Sequence, residues 1–401
     1  MSSSLSHSRQ GWLVPDLLDA ERNGAGPVQT ASSASTEAAW CLELDQTMLV
    51  PALSGRADWL RPIIRHMGSS RLPIVIATTA PQPGGADKLT GRFAFEKVNF
   101  RWAAPMPVLL DWQNPLFLSG APMVLARDGA GSAFASMVQA AGEQGARAVI
   151  LKEVTLNDDM IAALESSGVA WCATDTAERA ALVCGQPYDE WFSNNFSRKR
   201  RKEYRRLHNR LSETGTLVSH RFEQGEDAQP WISDFLELES SGWKGDRGTA
   251  MACDQKQRSA VTDALLGLAR SGDLLFWKLS LDERPIAMLF AIKCGHSAGL
   301  GKIAFDERLS AYSPGVLLIL EATRDLLSTP GITMVDSHAI PDHPMINNIW
   351  RDRVPIADLM LATPGTPKGL FTLMRHAEEK RQELRQLAKT MYHRHLKRGT
   401  K

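Results

Sequence analysis

Three apolar runs in quick succession, LLFWKLSL, PIAMLFAIK and AGLGKIAFD, do most to limit what this chain can become. Each is of strand length, and the breaks at Asp282–Arg284 and Gly295–Ser297 leave room only for tight turns. The sequence therefore predicts an antiparallel meander. A helix follows at once in YSPGVLLILEATRDLL, where Val316, Ile319, Leu320, Leu326 and Leu327 recur at helical spacing. Leu317 and Leu318 make it apolar on nearly every side. Ser313 is placed to cap this helix, Pro314 suits a first turn that has no use for its N–H, and Gly315 leaves the backbone bare. Such a start suits an anion, because unpaired N–H groups and the helix dipole both point at it. It is also how an ordinary buried helix begins.

The strand before it bears on that choice. Glycine inside a strand costs stability and marks a bulge or the close approach of another backbone or ligand, and AGLGKIAFDE carries Gly299 and Gly301. A meander, a glycine-loosened last strand and a turn into an anion-ready helix together suit coenzyme A. Its pantetheine amides can pair with strand backbone, and its pyrophosphate can rest on helix N–H groups. A bulged strand followed by a plain cap has the same pattern.

At 401 residues the chain has room for two or three domains. Its 46 Lys and Arg nearly balance 45 Asp and Glu, so composition gives no general attraction to nucleic acid or membrane. The five cysteines are scattered without a Cys-x-x-Cys pair, which indicates neither a zinc knuckle nor a disulfide framework. The N-terminal MSSSLSHSRQ lacks the apolar core of a secretion signal, and LPIVIATTA and PIAMLFAIKC are too short for a membrane span. The expectation is a soluble, cytoplasmic protein.

Residues 1–37, rich in Ser, Ala, Thr and Gly, read as a disordered tail. In 38–189, strand-like LPIVIATTA, PVLLDW and ARAVILKEV alternate with helical ADWLRPIIRHM and GSAFASMVQAAGEQG, the pattern of an α/β domain. Residues 190–365 open on a basic helix (198–213) and contain the meander, then the strand ITMVDSH, a short helix PMINNIW and a strand near PIADLMLA. A long, basic C-terminal helix occupies the segment 366–401.

The stretches NFSRKRRKEYRRLHNRLSETG, LELESSGWKGDRGTA, GKIAFDERLSAYSPGVLL and DSHAIPDHPMINNIW resemble, over roughly residues 190–350, the GNAT-superfamily acyltransferases of the cellulose-biosynthesis CelD type. These in turn resemble the Fem aminoacyl-transferases, in which two GNAT-like domains lie side by side. The resemblance implies a mixed α/β fold with two such domains, the N-terminal one degenerate. It implies acetyl-CoA or another acyl-CoA as co-substrate and no metal. Its pyrophosphate would lie at Ser313, Pro314, Gly315 and Val316, with Gly301 and Lys302 beside the cofactor. The usual GNAT phosphate loop has more glycines and a preceding Arg or Gln, where this chain has Tyr312, Ser313 and Pro314.

Acyl transfer to an amine needs a base for the amine proton, a donor for the oxyanion and an acid for the departing thiolate. Asp306 is a candidate base, or a pin for its own turn through Lys302 or Arg308; Tyr312 is a candidate acid, or a packed aromatic. DSHAIPDHP gathers Asp336, His338, Asp342 and His343 at a strand end, without the helical spacing of a zinc site. An acid/base role for His338 and an acceptor contact for Asp336 compete there with loop bracing. Trp243 and Lys244, in the glycine-punctuated GWKGDRGTA, read as part of a substrate loop. On the basic helix, Tyr204, Leu207 and Leu211 form a narrow apolar stripe; Arg201 and Arg205, among the cations around it, are candidates for binding an anionic acceptor. No interleaved aromatics accompany them, so no sequence-specific nucleic-acid reader is expected. The expected activity is N-acylation of a polar acceptor, of a sugar or envelope-precursor kind. A Fem-like transferase using aminoacyl-tRNA and a catalytically silent GNAT-fold module are the alternatives; oligomeric state is not legible.

Overall fold

The computed structural model describes residues 12–13, 42–67, 73–81, 87–118, 120–242, 248, 250–252 and 254–398. The tail expected over 1–37 lies outside these residues except at Trp12–Leu13. In chain order the first half contains β1 (Trp12–Leu13), α1 (Leu42–Gln46), α2 (Ala57–Met67), β2 (Ile74–Ala80), β3 (Lys88–Val98), β4 (Val108–Asp111), β5 (Met123–Leu125), α3 (Ala130–Glu143), β6 (Ala148–Thr155), α4 (Asp158–Ser166) and β7 (Trp171–Val183). The second half contains α5 (Tyr188–Asn195), α6 (Arg198–Ser212), β8 (Leu217–Arg221), α7 (Ala228–Ser240), α8 (Gln255–Ser271), β9 (Leu274–Leu281), β10 (Arg284–Cys294), β11 (Ser297–Phe305), α9 (Pro314–Ser328), β12 (Met334–Asp336), β13 (Asp352–Ala362) and α10 (Lys368–Arg398).

The meander forms as its turns require. Asp282 and Glu283 both take positive φ (48° and 65°), the backbone of a two-residue hairpin turn, and Gly295 does so (φ 59°) at the next. All thirteen strands join one sheet in the order β1-β2-β3-β4-β6-β13-β7-β12-β11-β10-β9-β8, with β5 on β3. Two parallel pairs stand out, β4 with β6 and β11 with β12, and each is bridged by a helix, α3 and α9 respectively. The same strand–helix–strand unit thus occurs once in each half of a mixed α/β fold.

The halves are knitted by exchange of strands. Most of β7 pairs with β13, while its last residues, Ala181–Val183, pair with β12. The C-terminal strand β13 in turn lies between β6 and β7 of the first half. A cut between residues 189 and 190 would therefore leave both halves of the sheet without a strand. Helix packing repeats the theme: Trp59 of α2 is fully buried and stacks on Phe290 of β10, with ring centroids 6.1 Å apart. Burying rings of this size contributes about 2–3 kcal/mol each. Close by, buried Arg56 donates to Asp273 at 2.6 Å and to Asp58 at 3.0 Å, tying the start of α2 to the end of α8.

No helix of the described residues is long and apolar enough to cross a membrane.

Candidate functional site

Strands β11 and β12 pair only over Ser297–Gly299 against Met334–Asp336. From Leu300 onward β11 has β10 as its strand partner and diverges from the chain that leaves β12. On the β10 side the register slips: Leu289 faces Ile303 while Ala291 faces Leu300, so Gly301 and Lys302 together oppose Phe290. This is a β-bulge, where the sequence placed one. Its glycines answer to rings of the protein itself. A Cβ on Gly301 would come within 1.9 Å of the Phe290 ring, and one on Gly299 within 2.6 Å of the His338 ring. Lys302 lies within 3.7 Å of Glu239 on α7.

Helix α9 begins directly beside this bulge. Gly315 is buried, and a Cβ there would meet Phe305 at 3.2 Å and Ile303 at 3.4 Å, so the first turn lies tight against β11 and a side chain there would need those two residues to shift. The cap differs from the one expected. Ser313 takes the left-handed region (φ 52°) and its side chain makes no capping bond. A short 3-10 helix, Glu307–Tyr312, runs into it, and Ser313 closes that turn with its N–H on the Ser310 carbonyl at 3.0 Å. The Ser313 carbonyl then accepts from both Val316 and Leu317, at 3.0 and 3.2 Å. Pro314 has no N–H to give, and the Gly315 N–H has no acceptor within the helix. The positive end of α9 thus faces the flank of the bulged strand with its hydroxyl side chain uncommitted to capping.

Asp306 caps the 3-10 helix. It accepts the Arg308 N–H at 3.0 Å and the Arg308 guanidinium at 2.6–3.2 Å. Hydrogen bonding from Arg308 holds its carboxyl below the usual range, against a smaller opposing effect of burial. In the structure Asp306 pins its turn, the second of the roles read from the sequence. Tyr312 is half-buried, with the Arg210 guanidinium of α6 5.4 Å from its ring centre, and directly precedes Ser313.

At the end of β12, Asp336 is fully buried and bound by Arg179 of β7, with Arg179 Nη2 to Oδ2 and Nε to Oδ1 both at 2.7 Å. The N–H of His338 donates to its Oδ1 at 2.9 Å. Burial alone would push the Asp336 carboxyl up, but the opposing pulls of His338 and Arg179 prevail and its pKa is lowered. Both of its carboxylate oxygens are engaged within the chain, so in this structure Asp336 braces the strand end, the second of the two roles read from the sequence. His338 has φ 47° and a side chain only 2% exposed, with Nε2 3.9 Å from Asp336 Oδ2. Its ring lies over Gly299, where β11 and β12 part. Asp342 is exposed, and His343 Nδ1 lies 3.3 Å from the N–H of Met345, so the four Asp and His residues of DSHAIPDHP do not converge.

The basic helix folds as its pattern predicts. Ser197 caps it by accepting from the Arg200 N–H at 3.3 Å, and Tyr204, Leu207 and Leu211 are buried. Arg201 is half-buried and Arg205 exposed. Arg205 lines a groove of about 390 Å³ with Tyr188, Phe192, His208 and Arg324. Trp243 and Lys244 lie outside the described residues. Sequence reasoning missed Arg179, which lies in a strand that the chain's apolar periodicity does not announce. It also missed a cleft of about 570 Å³ between β7, β13 and the segment after β12, lined in part by Thr176, Glu178, Asp342, Asn347 and Arg353.

A family model described as "Acetyltransferase (GNAT) domain" matches residues 198–342. The crystal structure of FemX is 12% identical over 86% of this chain and 99% of its own, with a TM-score of 0.52. The C-terminal DUF2156 domain of a putative lysylphosphatidylglycerol synthetase from Agrobacterium fabrum is 13% identical, covering 86% of this chain and 96% of that one at a TM-score of 0.49. A tandem GNAT protein from the clavulanic acid biosynthesis pathway is 12% identical, covering 84% and 98% at 0.40. No curated protein sequence matches. The chain therefore has a mixed α/β fold of the kind seen in FemX. The stretch that resembles the GNAT acetyltransferase domain model, residues 198–342, lies in its second half.

Proposed function

We propose that the protein is an acyl-CoA-dependent N-acyltransferase of the CelD type, working from the cytoplasm on the amine of a polar acceptor. The domains would be a degenerate GNAT-like half over 38–189 and the acyltransferase half over 190–365, sharing strands as described. One observation carries the reading: β11 leaves β12 at Gly299, and the positive end of α9 abuts the bulge just beyond. In that opening the backbone at Gly301 and Lys302 would run beside the pantetheine arm, and the positive helix end at Ser313–Val316, through the Gly315 N–H and the Ser313 hydroxyl, would receive the pyrophosphate. The acyl carbonyl would then lie near the point where the strands part, under His338.

The proposed step is attack of the acceptor nitrogen on the thioester carbon. His338 takes the amine proton, and buried Asp336, ion-paired with Arg179, favours the resulting imidazolium. Collapse breaks the carbon–sulfur bond, and the thiolate takes a proton from Tyr312 or water, leaving an amide and free CoA. The cleft lined by Glu178, Asp342 and Arg353 offers both charge signs to an acceptor.

The test is release of free CoA thiol from acetyl-CoA by the full chain in the presence of amino sugars and amino acids. Amine-dependent release that His338→Ala lowers at least a hundredfold supports the reading; the absence of release with any acyl-CoA removes it. The exposed cations of α6 favour one competing donor, aminoacyl-tRNA. Turnover of charged tRNA, abolished by ribonuclease, would establish that reading instead. Stable binding without turnover of either donor would mark a silent module.

A further inference from the structure

The last helix has a free apolar face. At about 1.5 Å per residue, the 31-residue α10 is about 46 Å long. Its first turns are firmly held: Glu378 is fully buried and accepts from Arg101 at 2.8 Å and from Trp102 Nε1 at 2.7 Å, and Gln382 donates to Thr174 at 3.2 Å. After Gln382, no hydrogen bond or ion pair to the rest of the chain is made by the residues whose side chains are described, Glu383–Arg385, Leu387, Ala388 and Met391. Leu384, Leu387 and Met391, spaced by three and four residues, are nonetheless 67%, 55% and 59% exposed. That is one stripe of a helix, left open to water.

The sequence around the stripe is one-signed. From Leu384 to Lys401 it contains Arg385, Lys389, Arg394, Lys397, Arg398 and Lys401, and no acidic residue. We propose that this end of α10 docks on a bilayer surface rich in anionic lipid, with Leu384, Leu387 and Met391 in the acyl boundary and the cations at the headgroup phosphates. The two halves of the observation select this occupant together. A nucleic acid would satisfy the cations and leave the leucines in water. A second copy of the helix would bury the leucines while bringing two acid-free, cationic segments together. An anionic bilayer satisfies both. The helix would lie in the interface plane without spanning it, and would hold the acyltransferase half beside acceptors borne on a membrane.

Co-sedimentation of the full chain with vesicles tests this. Vesicles of phosphatidylcholine containing 40% phosphatidylglycerol should bring down the protein at least tenfold more effectively than phosphatidylcholine alone, and salt should weaken the binding. Leu384→Glu/Leu387→Glu should abolish it while leaving the melting temperature within about 2 °C, because the replaced side chains are exposed. Arg385→Gln/Lys389→Gln should reduce it severalfold. Wild-type protein remaining in the supernatant with both vesicle types overturns the proposal. So does binding that the leucine variant retains, or a dimer in light scattering that the leucine variant dissolves while vesicles recruit nothing. Nuclease-sensitive RNA co-purifying with the protein, in place of vesicle binding, also overturns it.

Discussion

The His338 imidazole occupies the space that a side chain on Gly299 would need: a Cβ there would come within 2.6 Å of His338 Cδ2 and 2.7 Å of Nε2. The glycine that loosens the strand in sequence terms is, in the fold, the seat of a histidine. Gly299→Ala should therefore displace the ring and cost about 1–3 kcal/mol of stability as an overpacked site. The reading predicts more than that. Among molecules still folded, the turnover rate with acetyl-CoA and an accepted amine should fall at least tenfold, while acetyl-CoA affinity changes little. A variant with reduced stability and undiminished turnover would leave His338 with packing alone.

Arg179 and Asp336 form the second pair to test. Removing one member of a buried ion pair leaves the other charge without its partner and costs about 3–5 kcal/mol, so Arg179→Met should lower the urea midpoint sharply at pH 7. The pH dependence has a definite sign. Because the folded-state pKa of Asp336 is lowered, its contribution is complete above the unfolded value of about 3.9 and is lost as pH falls through the folded value. Wild-type stability should thus decline below pH 4, and the decline should be shallower in Arg179→Met. Denaturant melts from pH 3 to pH 7 would show it.

Asp111 should behave in the opposite sense. Burial pushes its carboxyl up to about 7, against the pull of Lys152, with Asp358 and Glu96 adding to the rise. A raised carboxyl pKa means that the folded state holds its proton while the unfolded chain has lost it. Stability from this group therefore falls as pH rises from about 4 to about 7 and then stays level. Asp111→Asn should flatten the melting curve over that range and, at pH 8, raise stability by on the order of 2–3 kcal/mol. Gln113, which donates to Asp111 at 2.6 Å, can serve the asparagine oxygen equally.

The bulge offers a test by paired substitution. Gly301→Ala places a methyl within 1.9 Å of the Phe290 ring and should destabilise by several kcal/mol. Phe290→Leu, mild by itself, should relieve part of that cost when combined with it, giving a coupling of about 1–2 kcal/mol in a double-mutant cycle. Additive losses would mean that the bulge, not the ring, excludes the side chain.

Elements with local signatures were legible in the chain. The meander announces itself through apolar runs and two-residue turns, and the basic helix through Ser197 and the Tyr204, Leu207, Leu211 stripe. What could not be read depends on distant partners. Strand β7, WCATDTAERAALV, lacks clean alternation because β13 and β12, both far along the chain, pair with it. Asp336 was visible as an acid at a strand end, but its partner Arg179 lies 157 residues away. Ser313 looked like a helix cap from its residue type; the 3-10 turn before it imposes the left-handed backbone that turns the side chain from that task. Asp306 sits two residues before the arginine that occupies it, and its neighbours in the sequence did contain that answer.

The central claim is that the start of α9 holds the pyrophosphate of an acyl-CoA, and calorimetric titration of acetyl-CoA into the full chain tests it most directly when Ser313→Asp is measured beside the wild type. Aspartate tolerates a positive φ and favours helix starts, so this variant should fold with unchanged or slightly higher melting temperature. Its charge would lie where the pyrophosphate is proposed to bind. The account predicts saturable binding to the wild type and at least a tenfold loss in Ser313→Asp. Absence of binding to the wild type, or equal affinity in the two proteins, would contradict it.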